Sequence, residues 1–313
     1  DKLAPTELLN ALLKAPVDLL WNGGIGTYVK SSKESHADVG DKANDLLRVD
    51  GRELRAKVVG EGGNLGMTQL GRVEYGLNGG KSNTDFIDNA GGVDCSDHEV
   101  NIKILLGEIV GAGDMTGKQR NKLLVEMTDA VGGLVLGNNY KQTQALSLAE
   151  RRARERVGEY KRLMSALEAA GKLDRALEFL PTDDELNERA ANGLGLTRPE
   201  LSVLISYSKI DLKESLLKSL VPDDEYLARE METAFPPLLA KKFCEPMRRH
   251  RLKREIVSTQ IANDLVNHMG ITFVQRLKES TGMSAANVAG AYVIVRDVFR
   301  LPHWWQQIEA LDY

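Results

Sequence analysis

The sequence has little cysteine, and its cysteines are poorly placed for a disulfide framework or a zinc site. Cys95 and Cys244 lie far apart and form no CxxC or Cys/His ligand spacing. His98 and Glu99 are followed by no second ligand three or four residues later, which disfavours zinc there as well. We therefore expect a protein of the reducing cytoplasm that binds no metal.

Long apolar runs and a strong excess of one charge are also absent. No run of about 18 apolar residues could span a bilayer, and the N-terminus carries no basic-then-apolar signal. The formal net charge of −4 leaves no overall electrostatic footprint for nucleic acid or anionic lipid. We expect neither of these partners, and a chain of 313 residues with this ordinary composition is long enough for two globular domains.

Two motifs of enzyme active sites are missing. The chain holds no GxSxG elbow, so the spacing of Ser96 and His98 is weak evidence for a hydrolase, and helix capping by Asp94 or Ser96 is the plainer interpretation. It also holds no GxGxxG phosphate loop, and NGGIGT at 22–27 does not match that spacing. Either the chain binds no dinucleotide, or the loop lies upstream. A start at Asp1, within a helix running into a strand, favours the second alternative.

Residues 1–98 alternate short apolar runs with glycine-rich turns. The runs at 17–21 and 57–59 are typical of buried parallel strands, and each is followed by a glycine-rich loop, at 22–27 and 60–68. Open α/β sheets bind ligands at such strand ends, because backbone N–H groups become free there. The pattern predicts an α/β domain with parallel strands, partly Rossmann-like.

From residue 99 onward the apolar residues follow helical spacing, which predicts a mostly α-helical second part. A helix opened by residues 89–100 would bury Ile102, Leu105, Leu106 and Ile109 on one face. Capping boxes are expected at Ser147/Glu150, Thr182/Glu185 and Thr197/Glu200. Two further helices are expected, one over 148–170 that stops near Gly171, and one from 199 that buries the leucines up to Leu220.

Several motifs keep two interpretations. Glu61-Gly-Gly-Asn64 and the glycine run at 89–92 suit a dinucleotide but are also ordinary turns. The basic segment 241–256 could contact RNA or an acidic partner, although a solvated helix face or an intersubunit contact is favoured. The LPHWW segment at 301–305 is either an interface anchor or part of its own helical core.

Five strings in the chain together resemble the large NAD-specific glutamate dehydrogenases of bacteria. They are VDLLWNGGIGTYVK (17–30), KVVGEGGNLGMTQLGRVEY (57–75), NAGGVDCSDHEVNIKILL (89–106), LTRPELSVLISYSKI (196–210) and REIVSTQIANDLVNHMGITFVQRL (254–277). The resemblance implies NAD as cofactor, and L-glutamate and 2-oxoglutarate as substrate and product. It also implies that residues 1–98 are the C-terminal half of an NAD-binding domain, and that 99–313 form a pivot helix and a helical C-terminal domain.

The resemblance also implies roles for a few residues. Asn64 would face the cofactor ribose, Asn89 would bind the nicotinamide carboxamide, and Gly23 and Gly24 would lie under the cofactor. Ser96 matches the serine that contacts the side-chain carboxylate of glutamate. The catalytic lysine and aspartate would lie upstream of Asp1, so that no catalytic residue is expected in this chain and the fragment alone should be inactive.

The resemblance implies a mobile element as well. A helix beginning near Ser96 would act as the pivot for cleft closure, so that bulkier residues at Gly91 and Gly92 should change kcat and KM together. The alternative from another class is a structural module without catalysis, whose helical part builds a homo-oligomer or receives a regulator.

Overall fold

The computed structural model describes residues 2–311, and within them strands occur only in the first part of the chain. The strands are β1 (Leu19–Asn22), β2 (Val29–Lys30), β3 (Val49–Asp50) and β4 (Val58–Glu61). The helices are α1 (Pro5–Leu13), α2 (His36–Val39), α3 (Gln69–Leu77), α4 (Asp85–Asp88), α5 (Ala90–Gly111), α6 (Gly117–Glu126), α7 (Thr128–Arg151), α8 (Val157–Ala169), α9 (Asp183–Ala191), α10 (Arg198–Leu217), α11 (Glu230–Ala234), α12 (Pro237–Lys242), α13 (Cys244–Arg248), α14 (Lys253–Met269), α15 (Phe273–Thr281), α16 (Ala285–Val298) and α17 (Leu301–Glu309).

The strands form two small parallel sheets. β1 pairs with β4 in the register Leu19↔Val58 to Asn22↔Glu61, and β2 pairs with β3. The sequence placed β1 and β4 within two residues of where they lie, and their parallel pairing is confirmed. The strands all precede the long helices of the second part. This is the order that the sequence predicted, an α/β part followed by a helical part.

One face of the β1–β4 sheet covers a small apolar core. Val59 of β4 packs with Val29, Val49 and Met67, and Leu20 of β1 lies against the same cluster. Tyr75 of α3 is buried in it and donates its hydroxyl to Ala56 O at 2.8 Å, which satisfies the only polar atom of that side chain. The core fixes where β1 and β4 end, and therefore where their loops begin.

The chain divides into two compact units, and each is built from two separate stretches. The first unit comprises Asp1–Asp94 and Leu136–Ser206, and the second comprises Cys95–Val135 and Tyr207–Tyr313. The chain passes from one unit to the other within α5, α7 and α10.

Hydrogen bonds join the two stretches of the first unit. Arg198 donates from Nε to Asn83 Oδ1 at 2.6 Å, and Lys81 Nζ lies 2.7 Å from Glu150 Oε1. Thr84 Oγ1 donates to the carbonyl of Pro199 at 3.0 Å. The stretch before Asp94 and the stretch after Leu136 therefore fold as one body.

The second unit contains a buried network of charged side chains. Arg296 of α16 donates to Glu230 at 2.5 Å and to Asp264 at 2.8 Å, and it is itself buried. Tyr292 adds a hydrogen bond of 2.9 Å to Asp264, and His268 Nδ1 lies 3.0 Å from the same carboxylate. The network ties α11, α14 and α16 together, and each charge in it has an opposite charge beside it.

The helical predictions were confirmed at most positions. The apolar faces of α5 and α10 are buried, Thr182 caps α9 with Glu185, and Glu200 accepts from the backbone and hydroxyl of Thr197. Gly171 has a φ of +66° two residues after α8 ends. Sequence periodicity was sufficient where a strong cap coincided with the start of an apolar stripe.

Two of these predictions were wrong. Ser147 is no helix cap, since it lies inside α7 and donates to Thr143 O at 3.0 Å, so the helix expected over 148–170 begins only at Val157. Leu220 was expected in the core but is 83% exposed, because α10 ends at Leu217. In the first case the capping pattern lies within a continuous helix, and in the second the apolar pattern continues past the end of one.

The two ambiguous segments have mixed surroundings. The basic segment is divided among α12, α13 and the start of α14, with His250 buried and bonded to Asn101 O at 3.1 Å. Trp305 stacks on His268 with ring centroids 3.8 Å apart, whereas Trp304 is 55% exposed.

Across residues 2–311, no helix combines the length and apolar character that crossing a membrane requires.

Candidate functional site

The glycine-rich loops after β1 and β4 meet at one edge of their sheet. Asn22 and Glu61 are partners in the last register position, and the amides of Gly62 and Gly63 both donate to Asn22 O, at 2.9 and 3.2 Å. The carboxyl ends of two parallel strands therefore deliver both loops to the same place. The sequence predicted a loop at each strand end, but not that the two loops meet.

Close packing between the two loops requires a glycine. A Cβ at Gly63 would lie 2.3 Å from the carbonyl oxygen of Gly24, a distance that no side chain tolerates. Gly24 itself has open space where its Cβ would be, and both Gly23 and Gly24 are exposed. The loop after β1 thus offers bare, accessible backbone, while the loop after β4 supports it from one side.

Asn89 brings a third segment to the same edge. Its amide nitrogen donates to Gly63 O at 3.4 Å and also to Asn64 Oδ1. Asn64 is exposed and Asn89 half-buried. Four of the predicted site residues, Gly23, Gly24, Asn64 and Asn89, therefore lie on loops that contact one another.

Beneath these loops Glu61 acts as an internal anchor. It is fully buried and accepts two hydrogen bonds from the buried Arg72, from Nε at 2.6 Å and Nη2 at 2.9 Å, and one from the Met67 amide at 2.9 Å. Burial raises the pKa of Glu61, against the opposing effect of Arg72. The glutamate of the EGGN string therefore faces inward and holds the loop in place.

Two aspartates fasten the rest of the loop. Asp88 accepts from the Glu61 amide at 3.0 Å, and Asp85 accepts from the Leu65 amide at 2.7 Å. Leu65 has a φ of +58°, a left-handed conformation that costs a non-glycine residue roughly 1 kcal/mol or more. Burial raises the pKa of Asp88, although Asn83 donates to it at 2.6 Å. These carboxylates set the path of the backbone that carries Asn64.

The sequence did not reveal Arg72, Asp85 or Asp88 as part of this arrangement. Their one signal is that α3 and α4 place charged residues at positions that the helical pattern assigns to the buried side. Asn22 was missed as well: its Nδ2 is buried and has no hydrogen-bond partner within residues 2–311. A buried donor of this kind is rare and is normally satisfied by a bound group or water.

Ser96 belongs to the second unit, and it is exposed on α5. The interpretation of Ser96 or Asp94 as a helix cap was wrong, because α5 begins at Ala90 and both residues lie inside it. For the same reason Gly91 and Gly92 belong to the first turn of a helix and not to a loop, and the helix does not begin near Ser96. His98 is buried, with Nδ1 3.0 Å from Ala234 O.

Side chains able to hold a metal ion are not clustered in the described part of the chain. Residues 2–311 contain no group of three or more His, Cys, Asp or Glu side chains arranged for that purpose.

Two family models match the sequence. Residues 1–149 match the catalytic domain of bacterial NAD-glutamate dehydrogenase, and residues 193–313 match the C-terminal domain of glutamate dehydrogenase. The chain belongs to the bacterial NAD-specific glutamate dehydrogenase family. The loops after β1 and β4, together with Asn89 and Ser96, all lie in the part that matches the catalytic domain of this family.

Curated relatives give the same family over the entire chain. The sequence is 86% identical over 313 residues to the NAD-specific glutamate dehydrogenase of Pseudomonas aeruginosa, and 62% identical over 312 residues to that of Halomonas elongata. Over 311 residues it is 45% identical to the NAD-specific glutamate dehydrogenase of Mycobacterium tuberculosis. The matched region is 99–100% of this chain but only 19% of each relative.

Proposed function

We propose that this chain is the part of an NAD-dependent glutamate dehydrogenase that contacts the cofactor and orients the substrate. The parent enzyme would convert L-glutamate, NAD and water to 2-oxoglutarate, ammonium and NADH. The observation that carries the proposal is the meeting of the two strand-end loops and Asn89 at one edge of a parallel sheet, within a region that matches the family's catalytic domain.

The cofactor would lie on the exposed backbone of Gly23 and Gly24, in a Rossmann-like domain of which residues 1–98 are the C-terminal half. Amide chemistry supports this assignment. Because Asn89 Nδ2 donates to Asn64 Oδ1, the Nδ2 of Asn64 and the Oδ1 of Asn89 remain as one donor and one acceptor. A ribose hydroxyl and the carboxamide of nicotinamide each need such partners, and the residues present therefore fit the cofactor.

Ser96 would donate a hydrogen bond to the side-chain carboxylate of glutamate, which its exposure on α5 supports. When bound, NAD would supply the acceptor for the hydride that leaves the α-carbon of glutamate. The residues of this chain would contribute orientation of the two reactants, and the catalytic lysine and aspartate would come from the remainder of the parent. We further propose a cytoplasmic location, which the free Cys95 and Cys244 support.

Steady-state kinetics of the parent enzyme test these roles separately. We expect Asn64→Ala and Asn89→Ala to raise KM for NAD about fivefold, since each removes a hydrogen bond worth roughly 1 kcal/mol, and Ser96→Ala to raise KM for glutamate instead. Asn78→Ala is the matched control, because Asn78 is an exposed asparagine in the first unit, on the end of α3. Unchanged constants in all three variants would remove these residues from the site, and a parent without glutamate oxidation would refute the activity.

A second candidate function is assembly of a homo-oligomer through the helical part. It is favoured by exposed apolar side chains in α16, in α17 and between them. Val298, Phe299 and Ile308 are each more than 60% exposed. The molar mass of the parent in solution tests this candidate. A mass that falls to that of the monomer in a Val298→Glu/Ile308→Glu variant would support it, and an unaltered mass would exclude this surface.

A further inference from the structure

The β1–β4 sheet has a second face, which is apolar and uncovered. The register places Leu19 beside Val58 and Trp21 beside Gly60 on this face, opposite the core side that holds Leu20 and Val59. Leu19 is 56% exposed, Trp21 59% and Val58 42%. These fractions are high for large apolar side chains on paired parallel strands.

Trp21 is held flat against this face. Its ring lies where side chains at Gly60 and Gly62 would otherwise be, since a Cβ added at either position would come within 2.7 Å of an indole carbon. The two glycines thus form a seat for the indole, whose outer surface is presented to solvent. A fixed apolar platform of this kind needs little ordering when a partner binds to it.

A groove of about 530 Å³ runs along the face and is bounded on its other side by polar residues. The charged residues among them are already paired. Arg198 donates to Asn83, Ser147 and the carbonyl of Thr143, and Lys81 pairs with Glu150. Because the charges of the groove are satisfied within the chain, an ionic ligand would gain little from them. Its apolar side chains, in contrast, remain exposed, and an apolar partner could cover them.

The structure itself indicates which kind of partner is missing. Parallel sheets are found almost only with both faces covered by helices, and the helix that covers a face normally belongs to the same polypeptide as the strands. The chain spans 19% of the length of its relatives, so about four-fifths of the parent polypeptide is available to supply one. We propose that an amphipathic helix from that remainder packs on Leu19, Trp21 and Val58 in the parent enzyme.

Accessibility in the intact parent provides the first test. A cysteine placed by Leu19→Cys, and separately by Val58→Cys, is expected to react with a maleimide at least tenfold more slowly in the native enzyme than after denaturation, with labelling quantified at that residue by mass spectrometry. Lys122→Cys is the control, because Lys122 has 81% of its side chain exposed and should stay reactive. A melting temperature equal to that of the unsubstituted parent verifies that each variant is folded. Labelling of both substituted positions at the control rate would overturn the proposal.

Cross-linking identifies what covers the face. A benzophenone attached to the same cysteines is expected to capture a peptide outside these 313 residues, at positions three and four residues apart. Capture of a second copy of the present chain, visible as a dimer band, would overturn the proposal in favour of self-association. Protection without any captured peptide would overturn it in favour of a small molecule in the groove.

Discussion

The ion pair between Glu61 and Arg72 shows how much of the candidate site depends on residues buried beneath its loops. Asn64 could be proposed from the EGGN string and Asn89 from the NAGG string, because each motif is a continuous stretch of sequence. Arg72 and Asp85 could not be found in that way, since their role arises only when α3 and α4 fold beneath the loop. The strings thus named candidates for ligand contact, whose roles stay predictions, but gave no sign of the side chains that hold the loop.

Replacing one partner of this pair should destabilise the first unit strongly. We expect Glu61→Gln to lower the free energy of unfolding by about 3 kcal/mol, because it removes the closer of the two carboxylates beside the buried guanidinium of Arg72 and leaves only Asp85, at 3.4 Å. Urea unfolding followed by circular dichroism measures the effect. Glu99→Gln is the control: its pair with Lys103 is exposed, and its loss should cost less than about 1 kcal/mol. Equal effects of the two substitutions would contradict the anchoring role.

Asp264 predicts a dependence of stability on acid. Although burial alone would raise it, hydrogen bonds from His268 and Arg296 bring the pKa of Asp264 down from 3.8 to about 2. A carboxyl whose pKa is lower in the folded state stabilises the fold above the unfolded pKa, and this contribution is lost as the pH falls from about 4 to about 2. At neutral pH, Asp264→Asn should lower the free energy of unfolding by about 2 kcal/mol. It should also make the acid limb of the stability curve, the fall of that free energy between about pH 4 and pH 2, less steep. The exposed Asp18→Asn should leave that limb unchanged, and an equally steep limb in Asp264→Asn would refute the assignment.

At the scale of elements, the strand-end loops were easier to predict than the helix boundaries. A glycine-rich turn follows each of the two short apolar runs, and both strands end at these turns, as expected. Helices α7 and α8 were harder, because the Ser147/Glu150 pattern of a helix start lies within a continuous helix, where the Ser147 hydroxyl bonds back to Thr143 O instead. Local capping chemistry is overridden where the preceding turn is already helical.

The pair Gly63 and Gly24 separates loop structure from ligand contact. Gly63→Ala should destabilise the loop and impair NAD binding, since its Cβ would collide with the Gly24 carbonyl. Gly24→Ala should change the melting temperature of the parent by less than about 2 °C, because the added Cβ meets open space. It should nevertheless lower the affinity for NAD if the cofactor lies on this backbone. Thermal melting and NAD titration of both variants distinguish the effects, and full NAD affinity in Gly24→Ala would place the cofactor elsewhere.

At the scale of the whole molecule, the order of α/β and helical parts followed from composition and periodicity, but the division into units did not. Each unit draws on two stretches of chain, and the bonds that unite the first unit join residues more than 60 positions apart, such as Lys81 with Glu150 and Asn83 with Arg198. Periodicity is a local signal and carries no information about such pairings.

Truncation tests this arrangement. A polypeptide of residues 1–98 should show no cooperative unfolding transition, because it lacks the stretch Leu136–Ser206 that completes its unit. A polypeptide of residues 1–206 contains the entire first unit and should unfold cooperatively in urea. A cooperative transition of similar midpoint in the shorter polypeptide would show that the second stretch contributes little.

The interleaving of the two units also dictates an order of events during protein synthesis. The stretch that completes the first unit leaves the ribosome only after the opening stretch of the second unit, so residues up to Asp94 wait for Ser206 to emerge. At translation rates of about 5 to 20 residues per second, this delay lasts roughly 6 to 22 seconds. During that interval the nascent chain exposes apolar surface belonging to both units, and transiently exposed surface of this kind promotes aggregation.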